Sequence, residues 1–248
     1  MQAQPQFASF EPRQFLDSLQ LGNTDTDAFR AINRTIEKLT EVLHPQRVLE
    51  LGAGRSPLFK DCSALPFKFV ANDISDRELD LLPRRIERAR FDISSPSEVP
   101  EELCGTVDLV YSRSVFEHVR SVDEAMKTTH RLLRDGGIAL HFFPTLYASP
   151  FLINKLLPFW LTKQIVARIA PPKYERFPAR YAQAEATHSA LKRWRSYGFR
   201  DVQATRFYGH QYYNKIPLIR DIENALTAAA KQSSWAWYSS FAYVLMVK

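Results

Sequence analysis

The chain has 248 residues, 45% hydrophobic and 24% charged, with a net charge of +6, proportions that exclude a disordered or fibrous protein. Its two cysteines, Cys62 and Cys104, stand alone, which excludes a disulfide framework and a clustered zinc site and points to a reducing compartment. No run approaches the roughly 18 apolar residues of a membrane span, and the opening MQAQPQFASF lacks a basic start followed by an apolar run, so a soluble, cytoplasmic protein without a secretory leader is expected.

Residues 1–46 read as an N-terminal helical cap on a single domain spanning 1–248. Phe7, Phe10, Phe15, Leu16 and Leu19 are too apolar for a free tail. Thr24 to Leu43 is a helix: Thr24 or Asp25 can cap it, and Ala28, Phe29, Ile32, Ile36, Leu39, Val42 and Leu43 mark one face at helical spacing. Pro45 ends it. Val48 to Pro57, VLELGAGRSP, is a short buried strand running into a turn, where Gly52 and Gly54 allow positive φ and close approach of the backbone to a ligand. Ser56 and Pro57 are then placed to open a helix.

Further strands are expected at Lys68–Ile74 (KFVANDI), Glu87–Ile93 (ERARFDI), Val107–Arg113 (VDLVYSR) and Gly137–Phe143 (GIALHFF). A helix over Ser121–Arg134 separates the last two, closed by Gly136 and Gly137. Strands alternating with helices predict a parallel sheet covered on both faces. From Pro144 to about Ala182 the rhythm fails, and the aromatic, proline-punctuated, basic stretch reads as an inserted helical lid over 144–182. It returns with a capped helix from Thr187 to Tyr197, a strand at Val202–Phe207, a helix at Ile216–Lys231 and a last strand at Phe241–Val247. The final two strands would pair as an antiparallel edge.

Glu50, Asp73 and Asp92 fall at or near the ends of three successive strands, where open parallel sheets bind ligands. Asp73 lies 23 residues after Glu50, close to the offset of about 20 residues between a glycine turn and a ribose-binding acid. A carboxylate there can accept both ribose hydroxyls, and Asp92, one strand further, is placed to receive the exocyclic amine of an adenine. Each acid singly could be a solvated loop residue or a helix cap; three in phase with three strands point to a nucleoside.

The order ELGAG, NDIS, FDIS, DLVYSRSVFEHV and LLRDGGIALHFF resembles class I S-adenosylmethionine-dependent methyltransferases of the small-molecule and lipid type. The match covers about residues 28–143 and continues more loosely from Thr187. The resemblance implies a Rossmann-like, seven-stranded, mostly parallel sheet with the last strand antiparallel and helices on both faces. It implies S-adenosylmethionine as cofactor, with Glu50, Gly52, Ala53 and Gly54 bordering its methionine end. By the same resemblance Asp73 holds the ribose, Ile74 flanks the adenine, Asp92 and Ile93 contact it, and Ser112 lines the methyl-transfer side. A third glycine, frequent in the family, is replaced here by Arg55-Ser56-Pro57. The same departure counts against a nicotinamide-dependent oxidoreductase, whose fingerprint requires that glycine.

Methyl transfer from a sulfonium needs alignment and exclusion of water more than acid–base machinery. A base helps when the acceptor is a hydroxyl, and His118 in the FEHV segment is the best-placed candidate, a packed or cofactor-supporting role being the competing reading. Glu117 is open to the same two readings. His141, on the fifth strand, is expected to be buried without chemistry. No metal site is expected.

Residues 151–248 carry 15 Lys/Arg against 5 Asp/Glu, whereas residues 1–150 carry 18 against 22, so the C-terminal part should meet an anion. In the lid, Phe151, Leu152, Leu156, Leu157, Phe159, Trp160 and Ile165 interleave with Lys155, Lys163, Arg168, Lys173, Arg176 and Arg180. Apolar surface edged with basic residues suits a small, largely apolar and anionic or lipid-like acceptor, with peripheral contact to an anionic membrane. Packing of the lid on the sheet is the plain alternative. A nucleic-acid methyltransferase is a second reading, disfavoured because the fourth strand ends in YSRS rather than an Asn/Asp-Pro-Pro-aromatic box. A non-catalytic partner protein of the same fold is a third.

Overall fold

A computed structural model describes residues 7, 9–156, 180, 184–214 and 216–248. Most of the expected lid, including Phe159, Trp160, Lys163 and Arg168, lies outside the described residues.

Two helices precede the sheet, α1 (Pro12–Ser18) and α2 (Asp25–Leu43). Thr24 and Asp27 form a reciprocal capping box at the start of α2, and His44 ends it in the left-handed conformation before Pro45. Ala28, Ile32, Ile36, Leu39 and Leu43 are buried at helical spacing. Phe29 and Val42, expected on the same face, are instead exposed; Phe29 lies at the rim, its ring edge-on to Phe142 and Phe241.

Seven strands follow: β1 (Arg47–Leu51), β2 (Lys68–Asp73), β3 (Glu87–Arg90), β4 (Val107–Arg113), β5 (Leu133–Pro144), β6 (Asp201–Phe207) and β7 (Phe241–Val247). They form one sheet in the order β3-β2-β1-β4-β5-β7-β6, with β7 antiparallel to both neighbours. The remaining helices are α3 (Asp76–Asp80), α4 (Val122–Leu132), α5 (Ser149–Leu156), α6 (His188–Arg195) and α7 (Pro217–Gln232). Alternation along β7 shows the layering. Phe241, Tyr243 and Leu245 join the α2 side of the core with Ile36 and Leu39, while Ala242, Val244 and Met246 join the opposite side with Met126 and Trp194. A buried parallel sheet needs both covers, which is why its strands read as continuous apolar runs.

The final two strands pair antiparallel at the sheet edge, as expected, with β6 outermost and β7 between β5 and β6. Other expectations are corrected. α4 stops at Leu132 and the chain passes directly into β5, so Gly136 and Gly137 do not cap a helix. They sit in a bulge of β5, where the pairing jumps from Val107↔Leu133 to Leu109↔Ile138. A Cβ on Gly137 would come within 2.9 Å of the Arg134 carbonyl. β3 ends at Arg90, leaving Asp92 in the following loop. No helix opens at Ser56-Pro57: residues 55–61 are irregular and lead to a short 3-10 turn at Cys62–Ala64. The Leu58 N–H is drawn inward to the Glu50 carboxylate, and Phe59 packs against Phe67, Phe69 and Tyr111. Both contacts hold the segment against the sheet.

From β1 the chain moves outward through β2 to β3, then returns to β4 on the other side of β1. The carboxyl ends of β1 and β4 therefore flank the reversal in strand order where ligands bind in such sheets.

Candidate active site

The glycine turn after β1 is built around a close approach. Gly52 and Gly54 have φ of 62° and 52°. A Cβ on Gly52 would fall 2.4 Å from Cγ2 of Val115, so only glycine lets the loop after β4 close over the turn. The Ala53 N–H donates to the Asn72 carbonyl at 2.8 Å. The Gly54 N–H donates to Asp73 Oδ2 at 2.9 Å, and the Ser75 N–H to Asp73 Oδ1 at 2.9 Å. Asp73 thus ties the ends of β1 and β2 together. Burial raises its carboxyl above the usual range, the Ser75 and Gly54 donors pull it back, and the nearby Glu78 raises it further.

These residues border a cavity of about 460 Å³, lined by Gly52, Ala53, Gly54, Asn72, Asp73, Ile74, Phe91, Asp92, Ile93, Ser114, Val115, His118, Val119, Arg120 and Arg180, with Arg55, Ser56 and Glu78 at its margin. Asn72 shapes the far wall by donating from its side-chain amide to the carbonyls of Ala89 and Phe91, at 2.9 and 3.1 Å. The Asp92 carboxylate accepts the Ser94 N–H at 2.8 Å, and its other oxygen lies 3.7 Å from Arg120 Nε. Two carboxylates and an apolar wall of Ile74, Phe91, Ile93 and Val119 therefore face one space.

Glu50 and Ser112 lie beneath that space and are not part of its lining. Glu50 is 1% exposed. Its carboxylate accepts from Arg113 Nη2 at 2.6 Å and Nε at 3.0 Å, Tyr111 OH at 2.8 Å and the Leu58 N–H at 2.9 Å. Burial raises the Glu50 carboxyl and Arg113 opposes the rise. Ser112 is fully buried, its Oγ 2.9 Å from His141 Nδ1. Burial pushes His141 down to about 3, so a neutral imidazole packs there, tilted against Phe116. Both side chains hold the ends of β1, β4 and β5 in register below the site.

His118 lines the cavity, and its Nε2 is 3.8 Å from Glu117 Oε1. Glu117 is buried; desolvation pushes its carboxyl up to about 8, and its Oε2 has no hydrogen-bond partner among the described residues. The Glu117 carbonyl accepts the Arg180 N–H at 2.7 Å, bringing Arg180 to the mouth. Sequence reasoning did not single out Ser114, Val115, Val119 or Arg120. The spacing of Val115 and Val119 around Glu117-His118 was the available signal for a turn with one face inward, and the His118 N–H does donate to the Val115 carbonyl at 2.9 Å. Arg113 was legible only as the terminal residue of a strand; its pairing with Glu50 crosses from β4 to β1.

The donor set fits a nucleoside without a pyrophosphate. Residues 55–61 are not helical, so the glycine turn does not lead directly into the helix N-terminus that a dinucleotide pyrophosphate needs. Arg55, which could meet a phosphate, is engaged by Glu78.

A family model described as a methyltransferase domain matches residues 24–213. Among curated proteins, the chain is 27% identical over 138 residues to a malonyl-[acyl-carrier protein] O-methyltransferase of Geobacter sulfurreducens, covering 51% of each chain. It is 27% identical over 105 residues to a ubiquinone biosynthesis O-methyltransferase of Rhizobium etli, covering 41% of this chain and 42% of that one. The aligned part thus spans about half the length of these curated relatives. Among solved structures, a phosphoethanolamine N-methyltransferase 2 of Haemonchus contortus in complex with S-adenosylmethionine superposes with a TM-score of 0.52 at 17% identity, over 97% of this chain and 60% of that one. An S-adenosylmethionine-dependent methyltransferase of Archaeoglobus fulgidus does so with a TM-score of 0.52 at 14% identity, over 95% and 99%. The fold agrees with these structures, and with the family match over residues 24–213 the chain belongs to the methyltransferase-domain family.

Proposed function

We propose that this enzyme transfers the methyl group of S-adenosylmethionine to a small, largely apolar acceptor that is anionic or lipid-like. The observation that carries the cofactor reading is the pairing of Asp73 and Asp92 across one apolar-walled cavity at the strand-order reversal. Asp73 is suited to the ribose hydroxyls: its backbone donors hold it from behind while it faces the cavity. Asp92 and the Ile74, Phe91 and Ile93 side chains suit an adenine, and the glycine turn lets the remaining end of the cofactor lie against backbone. Bound there, the cofactor supplies a methyl group already activated by its sulfonium. The chain's part is to align the acceptor, exclude water and take up a proton where the acceptor is a hydroxyl.

His118 is the group placed for that proton, since it lines the cavity and Glu117 lies beside it. Residues 144–182 would supply the acceptor side, with the apolar and basic side chains read from the sequence. The carboxyl-edge position of α5, which opens this segment directly after β5, supports that placement.

Titration calorimetry with S-adenosylhomocysteine and with NAD tests the cofactor reading. The former should bind and the latter should not. Asp73→Ala should weaken S-adenosylhomocysteine binding by about 1.5–3 kcal/mol, the range for hydrogen bonds to a charged group. Preference for NAD, or parental affinity in the Asp73 variant, would overturn the assignment.

A further inference from the structure

We propose that the outer face of α7, with the tryptophan pair that follows it, docks the enzyme on an anionic lipid surface. The proposal takes its purpose from the amphiphilic-acceptor reading above but rests on separate observations. α7 turns Glu223, Thr227 and Ala230 into the protein. Leu218, Ile222 and Leu226 recur at intervals of four residues, which places them in one stripe along the helix. They are 73%, 55% and 44% exposed. Just beyond the helix, Trp235 and Trp237 stack with ring centroids 5.8 Å apart, and both are exposed. Of the fifteen large hydrophobic residues exposed among the described residues, ten belong to α5 or to residues 212–237. Single exposed aliphatics are ordinary on a protein surface, but such a concentration marks an interaction surface.

Three observations select lipid as the occupant. First, tryptophan rings prefer the level of lipid headgroups, where an apolar body and a polar N–H are both accommodated. Second, the charge is complementary. The sequence that follows α5, residues 157–183, holds five Lys/Arg against one acid. The carboxylates of α7 itself are taken up: Asp221 pairs with Arg220 at 2.8 Å, and Glu223 accepts Tyr238 OH at 2.7 Å and Ser149 Oγ at 2.9 Å. Third, α7 connects the end of β6 to the start of β7, so it lies at the sheet edge onto which the cofactor cavity opens. Docking there brings the site to the bilayer, where an amphiphilic acceptor resides.

The face is also held firmly. The Glu223–Ser149 bond ties α7 to the first residue of α5, and Phe151 packs edge-on to Tyr212 with centroids 5.8 Å apart. Docking therefore does not require the helix to fold at the membrane.

Flotation with phosphatidylcholine vesicles, with and without phosphatidylglycerol, tests the proposal. The parent should float with the anionic vesicles, with a blue shift of tryptophan emission and loss of binding at high salt. L218S/I222S/L226S should lower the floated fraction by about tenfold or more, with S-adenosylhomocysteine affinity unchanged. Trp235→Ser with Trp237→Ser should abolish the blue shift if the triple variant proves unstable. Parental flotation of both variants, no flotation of the parent at low salt, or a parental dimer in light scattering that the triple variant dissociates would each overturn it. Failure of the methyl-transfer reading shows up separately, as absent S-adenosylhomocysteine binding with vesicle binding intact.

Discussion

Substituting Gly52 with Ala probes the contact on which the site depends. Two costs arise from the structure. The backbone at Gly52 has φ of 62°, a left-handed conformation that costs an L-residue about 1–2 kcal/mol. The new Cβ would lie 2.4 Å from Val115 Cγ2, an overlap whose relief costs about 1–3 kcal/mol. Gly52→Ala should therefore destabilise the fold by about 2–5 kcal/mol and weaken S-adenosylhomocysteine binding, because Val115 carries Ser114 and His118 with it. Val115→Ala removes the clashing methyls and by itself should cost about 1–2 kcal/mol. In the double variant the steric cost vanishes while the backbone cost remains. It should therefore be more stable than the sum of the single variants by about 1–3 kcal/mol. Urea denaturation of the four proteins gives this coupling, and calorimetry gives its counterpart in binding. Simple additivity would show that the loop after β4 does not rest on the glycine turn, and the reasoning would fail.

His118→Ala should cut turnover on a hydroxyl acceptor by about a hundredfold or more and spare S-adenosylhomocysteine affinity; a matching loss of affinity in calorimetry would assign His118 to cofactor support. Asp108→Ala should destabilise by about 3–5 kcal/mol, read by denaturation, because Asp108 pairs with buried Arg134 and accepts the N–H groups of Gln46 and Arg47, both at 2.7 Å. Glu117 has its carboxyl raised from 4.5 to about 8. The unfolded chain thus releases that proton first, and stability falls as pH rises from 4.5 toward 8, by at most about 1.4 kcal/mol per unit. Glu117→Gln should flatten that alkaline limb in thermal melts at several pH values. His141, lowered from 6.5 to about 3, acts oppositely: the unfolded chain gains the proton first, so stability falls as pH drops below 6.5, a limb that His141→Phe should remove.

Local chemistry made much of the fold legible. Thr24 announces the start of α2, the apolar runs announce buried strands, and Gly52 and Gly54 announce a turn. Each signal depends on interactions within a few residues, so each survives in the linear sequence. Asp73 and Asp92 were legible for a similar reason: the strand–helix repeat places every such acid at the same end of the sheet.

Other features depended on contacts between distant segments. Whether Ser56-Pro57 opens a helix was decided by Glu50, which draws in the Leu58 N–H, and by the aromatic packing of Phe59 under the sheet. The burial of Glu50 and Ser112 below the cavity follows from Arg113 and His141, partners 63 and 29 residues away in the chain. Gly136 and Gly137 resemble a helix cap in sequence, yet the pairing of β5 with β4 turns them into a bulge. The position of β7 inside the sheet is likewise a matter of pairing between strands. Turns and caps are short-range and can be read from residue types; the identity of a buried charge's partner, and the neighbour a strand chooses, exist only once the chain has packed.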